Sequence, residues 1–157
     1  GWVGSPLESL LQDTELRNKF SQPVQESIHT PQTTAQTLAW YWRAINEIIL
    51  QSCKKNSSMP IVSHEAFSQN PQAITRSLYR AYNIDYSPKI AAQLRELTGE
   101  TNPTDPTNND IHVLKRNSRD NAERWRKLLK PEEQEQIMEI CGDLYSQLAE
   151  LPNNVKA

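Results

Sequence analysis

Proline constrains this chain more than any other residue type. Its ring fixes φ near the helical value and removes an N–H that the first turn of a helix leaves unbonded anyway, and a Ser, Thr or Asn just before it caps neighbouring amides. Ser5-Pro6, Thr30-Pro31, Asn70-Pro71 and Ser87-Pro88 carry that signature, and Lys130-Pro131-Glu132-Glu133 carries it without the capping side chain. These five points predict five helix starts. After Pro31, Leu38, Trp42, Ile45 and Ile49 recur at steps of four and three, with Tyr41 and Ile48 beside them. That periodicity predicts a central helix with a broad apolar face, ending at Lys54-Lys55-Asn56, where cations suit the carbonyl end of the helix dipole. Ile74, Leu78, Ala81 and Tyr82 predict a helix behind Pro71, and Ile90, Leu94 and Leu97 another behind Pro88, stopped by Gly99. A short helix opened near Asp120 takes Trp125 and Leu128-Leu129. The longest apolar stripe, from Ile137 through Ile140, Cys141, Leu144, Tyr145 and Leu148 to Leu151, predicts a final helix.

Between these helices lies one strand-like run, Met59-Pro60-Ile61-Val62-Ser63-His64, so the expected fold class is mainly α with one short β-strand. A lone strand needs sheet partners, and no other segment supplies one. It must pair with a segment absent from this sequence or lie extended over helices, and an uncovered sheet edge or helix face would favour a homodimer or aggregation. Residues 100–118, with Asn102-Pro103-Thr104-Asp105-Pro106-Thr107-Asn108-Asn109, predict a long polar loop of the length that has either a ligand role or none but mobility. A length of 157 residues fits a single domain that buries roughly 70% of its unfolded surface.

The balance of 17 basic against 19 acidic side chains gives a net charge of −2, so no overall field draws nucleic acid or an anionic membrane, and any anion site must be local. Cys53 and Cys141 lie far apart without metal or redox spacing, which predicts reduced thiols in a cytoplasmic setting. Asn56-Ser57-Ser58 matches a glycosylation sequon and reads as loop. Apolar runs such as Ile48 to Leu50 fall far short of the ~20 residues of a membrane span.

Phosphate-loop, dinucleotide-binding, zinc-protease and hydrolase-elbow motifs are all absent, and His29, His64 and His112 are too scattered to predict a metal site by spacing. The richest chemistry is Lys115-Arg116-Asn117-Ser118-Arg119-Asp120 followed by Arg124, Trp125, Arg126 and Lys127. Guanidinium and ammonium groups beside a serine hydroxyl suit a phosphate or sulfate. The alternative is a solvated face in which these cations pair with Asp120, Glu123, Glu132 and Glu133. His112, upstream on the polar loop, is a candidate general base because imidazole titrates near neutrality.

The order of these pieces resembles a family. Ile61-Val62-Ser63-His64-Glu65-Ala66-Phe67-Ser68-Gln69-Asn70-Pro71 resembles the strand, Tyr-Glu-Asp-Leu and Asp-Pro segment of sulfotransferases that use 3'-phosphoadenosine 5'-phosphosulfate. The likeness continues through Ile74, Leu78 and Tyr82, the turn Asn83-Ile84-Asp85-Tyr86-Ser87-Pro88, a basic stretch with Trp125 before Pro131-Glu132-Glu133, and Cys141-Gly142-Asp143-Leu144-Tyr145. It covers residues 30–151, while residues 5–28, with Asp13-Thr14-Glu15-Leu16, are similar to a variable helical insert of bacterial members. Two positions depart at His64-Glu65-Ala66-Phe67, and Ser118-Arg119-Asp120 stands where cytosolic members have Arg-Lys-Gly.

The resemblance implies the C-terminal part of an α/β P-loop-like fold, with the 5'-phosphosulfate loop and part of the 3'-phosphate site preceding Gly1. It implies transfer of a sulfuryl group to an acceptor hydroxyl or amine, with Arg119, Ser118, Arg116 and Lys115 as nucleotide-binding residues and no metal. The competing expectation is a non-catalytic helical interaction module.

Overall fold

The computed structural model describes residues 6–30, 32–104, 114–151 and 154–155. By internal contacts the chain divides into two compact units, Gly1–Met59 with Leu129–Pro152, and Pro60–Leu128 with Asn153–Ala157. The described residues are mainly helical.

In the first unit, α1 (Pro6–Gln12), α2 (Thr14–Arg17) and α3 (Gln22–Glu26) are short, and a single 3-10 turn follows at Ser27–His29. Asp13 caps α2, its carboxylate accepting from the Glu15 and Leu16 amides at 2.9 and 3.0 Å. These pieces lay Leu7, Leu11, Phe20 and Val24 against Ala44 of the long helix α4 (Thr34–Lys55). Glu47, buried on α4, accepts from both the amide and the hydroxyl of Ser21, which ties the start of α3 to α4. The central helix opens later than Thr30-Pro31 suggests. Thr33 is its cap, accepting from the Gln36 amide at 3.2 Å while Gln36 Oε1 accepts from the Thr33 amide at 2.9 Å, and this two-bond box fixes the start.

The last helix, α10 (Pro131–Ala149), packs on α4 within the same unit. Ala39 meets Ile140 and Cys141, with Trp40, Trp42 and Ile137 packed around them, and the small alanine lets the two backbones approach. Thr33 bonds Gln136, Ala39 O receives the Cys141 thiol, and Arg43 reaches Asp143. Residue numbers rise together along both helices, so they run parallel. The broad apolar face expected of α4 is not its most buried one. Ala35, Ala39, Ala44, Leu50 and Cys53 are buried, whereas Leu38 is 58% exposed and Ile45 and Ile49 are exposed too. Neighbours on two sides of α4 cover these residues, with Trp40, Tyr41, Trp42 and Ile48 packed beside them, and leave Leu38, Ile45 and Ile49 open.

The second unit corrects the expected strand. Only Ile61 pairs, in one parallel bridge to Asn154, whose neighbour Val155 donates its amide to Ile61 O at 2.8 Å. Pro60 has no N–H to give a ladder, and Ser63 caps α5 (His64–Gln69) by accepting from the Ala66 amide, so His64 begins a helix instead of ending a strand. The bridge partner comes from this chain, contrary to the expectation that none does. Helices α6 (Pro71–Ala81) and α7 (Pro88–Thr98) open at their prolines, Ser87 capping the second. The turn between them uses Asn83 at φ 53, a left-handed conformation that asparagine tolerates. Gln72 staples the pair, accepting from the Tyr86 hydroxyl at 2.8 Å and donating to Ala91 O at 3.0 Å. Ile74 is fully buried at the centre. Helices α8 (Ser118–Glu123) and α9 (Trp125–Leu128) follow, with Asn117 capping α8 through the Asp120 amide.

Candidate functional site

The segment carrying the predicted binding residues is held in place by its own backbone. Arg116 N donates to Leu97 O at 2.9 Å and Asn117 N to Pro103 O at 3.2 Å, while the Asn102 amide group donates to Glu96 O and Arg116 O. Asn117, itself buried, donates from Nδ2 to Glu100 O. This lacing lays residues 114–117 along the end of α7 and delivers Ser118 and Arg119 to one place.

Ser118 Oγ donates to Ser68 O at 3.0 Å and to Thr98 O at 3.3 Å, which joins α8 to the ends of α5 and α7. Arg119 pairs with Glu100 at 3.0 Å and donates weakly to Gln69 O at 3.4 Å. Both residues line an open groove of about 290 Å³, together with Gln69, Arg95, Thr98 and Gly99. Gly99 is required there. A Cβ at that position would stand 2.9 Å from Arg95 O, although its φ of −64° is ordinary, so close approach rather than a left-handed turn demands the glycine that ends α7.

Lys115 and Arg116 do not line this groove. Lys115 pairs with Glu96 at 2.6 Å, and that hydrogen bond, with the ammonium charge, holds the Glu96 carboxyl below the usual carboxylate range. The Arg116 guanidinium folds back onto Lys115 O. Arg126 pairs with Glu123 and stacks over the Trp125 ring at 4.7 Å. The solvated-face alternative is thus met at Glu123, but Lys115 and Arg119 find their acids at Glu96 and Glu100, which adjacency in sequence does not suggest. His112 lies outside the described residues. Sequence reasoning missed Arg95 and Glu100, because nothing local marks an arginine in a helix's last turn as facing a segment so much later in the chain.

In the first unit a second hollow of about 280 Å³ is lined by Glu8, Arg17, Gln25 and His29, none of them a predicted site residue. Among the described residues no helix is long and apolar enough to cross a membrane, and no three His, Cys, Asp or Glu side chains gather as a metal site. Both cysteines are free and buried. The chain matches no protein-family model, no curated protein and no solved structure.

Proposed function

We propose that this chain is the helical C-terminal portion of a sulfotransferase of α/β P-loop-like fold. Its share of the work is to grip 3'-phosphoadenosine 5'-phosphosulfate while the sulfuryl group passes to an acceptor hydroxyl or amine. The observation that carries the reading is the meeting of Ser118 and Arg119 at one groove, where α5, α7 and α8 converge. Arg119 has five N–H donors and engages a single carboxylate and one distant carbonyl, so donors remain for an anion. In sulfuryl transfer, charge develops on the leaving phosphate, and a fixed cation beside it lowers the barrier. Lys115 and Arg116 do not line the groove, so the grip falls to Ser118 and Arg119, and His112 is the proposed proton acceptor. Metal plays no part in this scheme, and the buried thiols suit a cytoplasmic protein.

The test is a titration with adenosine 3',5'-bisphosphate followed by calorimetry and thermal shift. The native chain should bind and gain thermal stability, and Arg119→Ala should abolish both. A native chain that stays silent at millimolar nucleotide defeats the proposal. A second reading, a non-catalytic helical interaction module, is favoured by the exposed Leu38, Ile45 and Ile49 of α4 together with Met138 of α10. That reading requires the titration to be silent.

A further inference from the structure

Arg119 is not the sole arginine of the groove. Arg95, in the last turn of α7, lines the same cavity, and among the described residues no carboxylate forms an ion pair with it. Two arginines therefore line one hollow in which Glu100 is the single acidic residue. Ser118 has a part in this. Its hydroxyl donates to Thr98 O, on the helix that carries Arg95, so the residue next to Arg119 is tied to that helix. Gly99, whose Cβ would stand 2.9 Å from Arg95 O, lines the groove between Arg95 and Glu100 in the chain.

The Glu100 pair is built to open. Its side chain is 74% exposed and that of Arg119 58%, so water screens their attraction and can take over the carboxylate. A tetrahedral oxyanion presents more acceptor oxygens than a carboxylate and, as a dianion, matches two guanidinium charges where Glu100 matches one.

We propose that Arg95 is the second cation of an anion clamp. A phosphate group of the nucleotide sits between Arg95 and Arg119, and the Glu100 carboxylate is the built-in competitor that it displaces. The inference rests on the reading that this groove takes the nucleotide. It adds a binding residue and a cost of entry: the ligand must first release Arg119 from Glu100.

Calorimetric titration of adenosine 3',5'-bisphosphate into the native chain, Arg95→Ala, Arg119→Ala and Glu100→Gln separates these claims. Arg95 and Glu100 are exposed, so circular dichroism should show all variants folded. Arg95→Ala should weaken binding about tenfold, as expected for one lost charge-assisted hydrogen bond. Glu100→Gln should tighten it severalfold by removing the competitor. If Arg119→Ala loses binding and Arg95→Ala keeps native affinity, the clamp is overturned and the nucleotide reading survives. A Glu100→Gln affinity equal to or below native overturns the competitor. Silence from the native chain overturns the clamp and the nucleotide reading together. Inorganic phosphate should follow the same order of variants more weakly. Should only free phosphate, and not the nucleotide, discriminate Arg95→Ala, the site takes a free anion and the proposal fails.

Discussion

Replacing Arg43 with alanine should loosen α4 from α10 and destabilise the first unit. The Arg43 guanidinium donates to Ile140 O at 2.5 Å, to the two Asp143 oxygens at 2.6 and 3.0 Å, and to Glu47 at 3.1 Å. These contacts differ in worth. The Asp143 side chain is 57% exposed, so its pair contributes about 0.5–1 kcal/mol. Glu47 is only 10% exposed and keeps its two bonds from Ser21, but it loses its cation, a change of about 1.5–3 kcal/mol for a charge-assisted bond in a dry setting. The expected total is about 2–4 kcal/mol, read as a shifted urea midpoint by far-ultraviolet circular dichroism. Acidity adds a second check. Hydrogen bonding from Arg43 holds the Asp143 carboxyl below the ordinary range, so that part of the stability is present above the unfolded value of roughly 3.9 and is lost as pH falls through the lower folded value. The gap between native and variant chains should therefore narrow between pH 7 and pH 3. A variant within about 0.5 kcal/mol of native at pH 7, or a gap unchanged at pH 3, would refute the reasoning.

Two further outcomes follow from local geometry. Gly99→Ala should cost about 1–3 kcal/mol, because the new methyl lands 2.9 Å from a backbone carbonyl that cannot swing aside, and urea unfolding that matches native would contradict the close approach. In a Cys53→Ala background, Cys141 should react with an aromatic disulfide reagent at pH 8 only as fast as the first unit opens. Its thiol is buried, donates to Ala39 O and is pushed up to about 11 by desolvation, so a rapid burst from the folded protein would count against this packing.

Helix starts at Pro71, Pro88 and Pro131 were legible because caps and ring constraints act over two or three residues. The same locality misled at Thr30-Pro31, where Thr33 and Gln36 together offer two bonds that a single capping side chain does not match. At Met59 to His64 a β-branched composition competed with Ser63 as a cap, and the cap won. Burial on α4 was hidden for another reason. Periodicity reports that a face is apolar but not which neighbour arrives, and alanines at Ala35, Ala39 and Ala44 weigh little in such a pattern while permitting the closest packing. Of the candidate site, Ser118 and Arg119 were readable as a cationic cluster with a hydroxyl. Their partners Thr98 and Glu100, and Arg95 lining the same groove, were not, since the fold brings them together across a gap that no local rule spans.

The parallel pairing of α4 with α10 also dictates a schedule. Thr33 and Gln136 are 103 positions apart in the chain, and Arg43 and Asp143 are 100 apart. During synthesis at about 5–20 residues per second, α4 waits roughly 5–20 seconds before its partner helix exists. Throughout that interval Ala39 lacks Ile140 and Cys141, and Arg43 has Glu47 but not Asp143, while the Leu38, Ile45 and Ile49 side remains open as well. Contacts this distant make folding slow, because the whole intervening chain must be drawn into a loop before any of them forms. Until the final helix arrives, the long helix lacks the neighbour that covers Ala39.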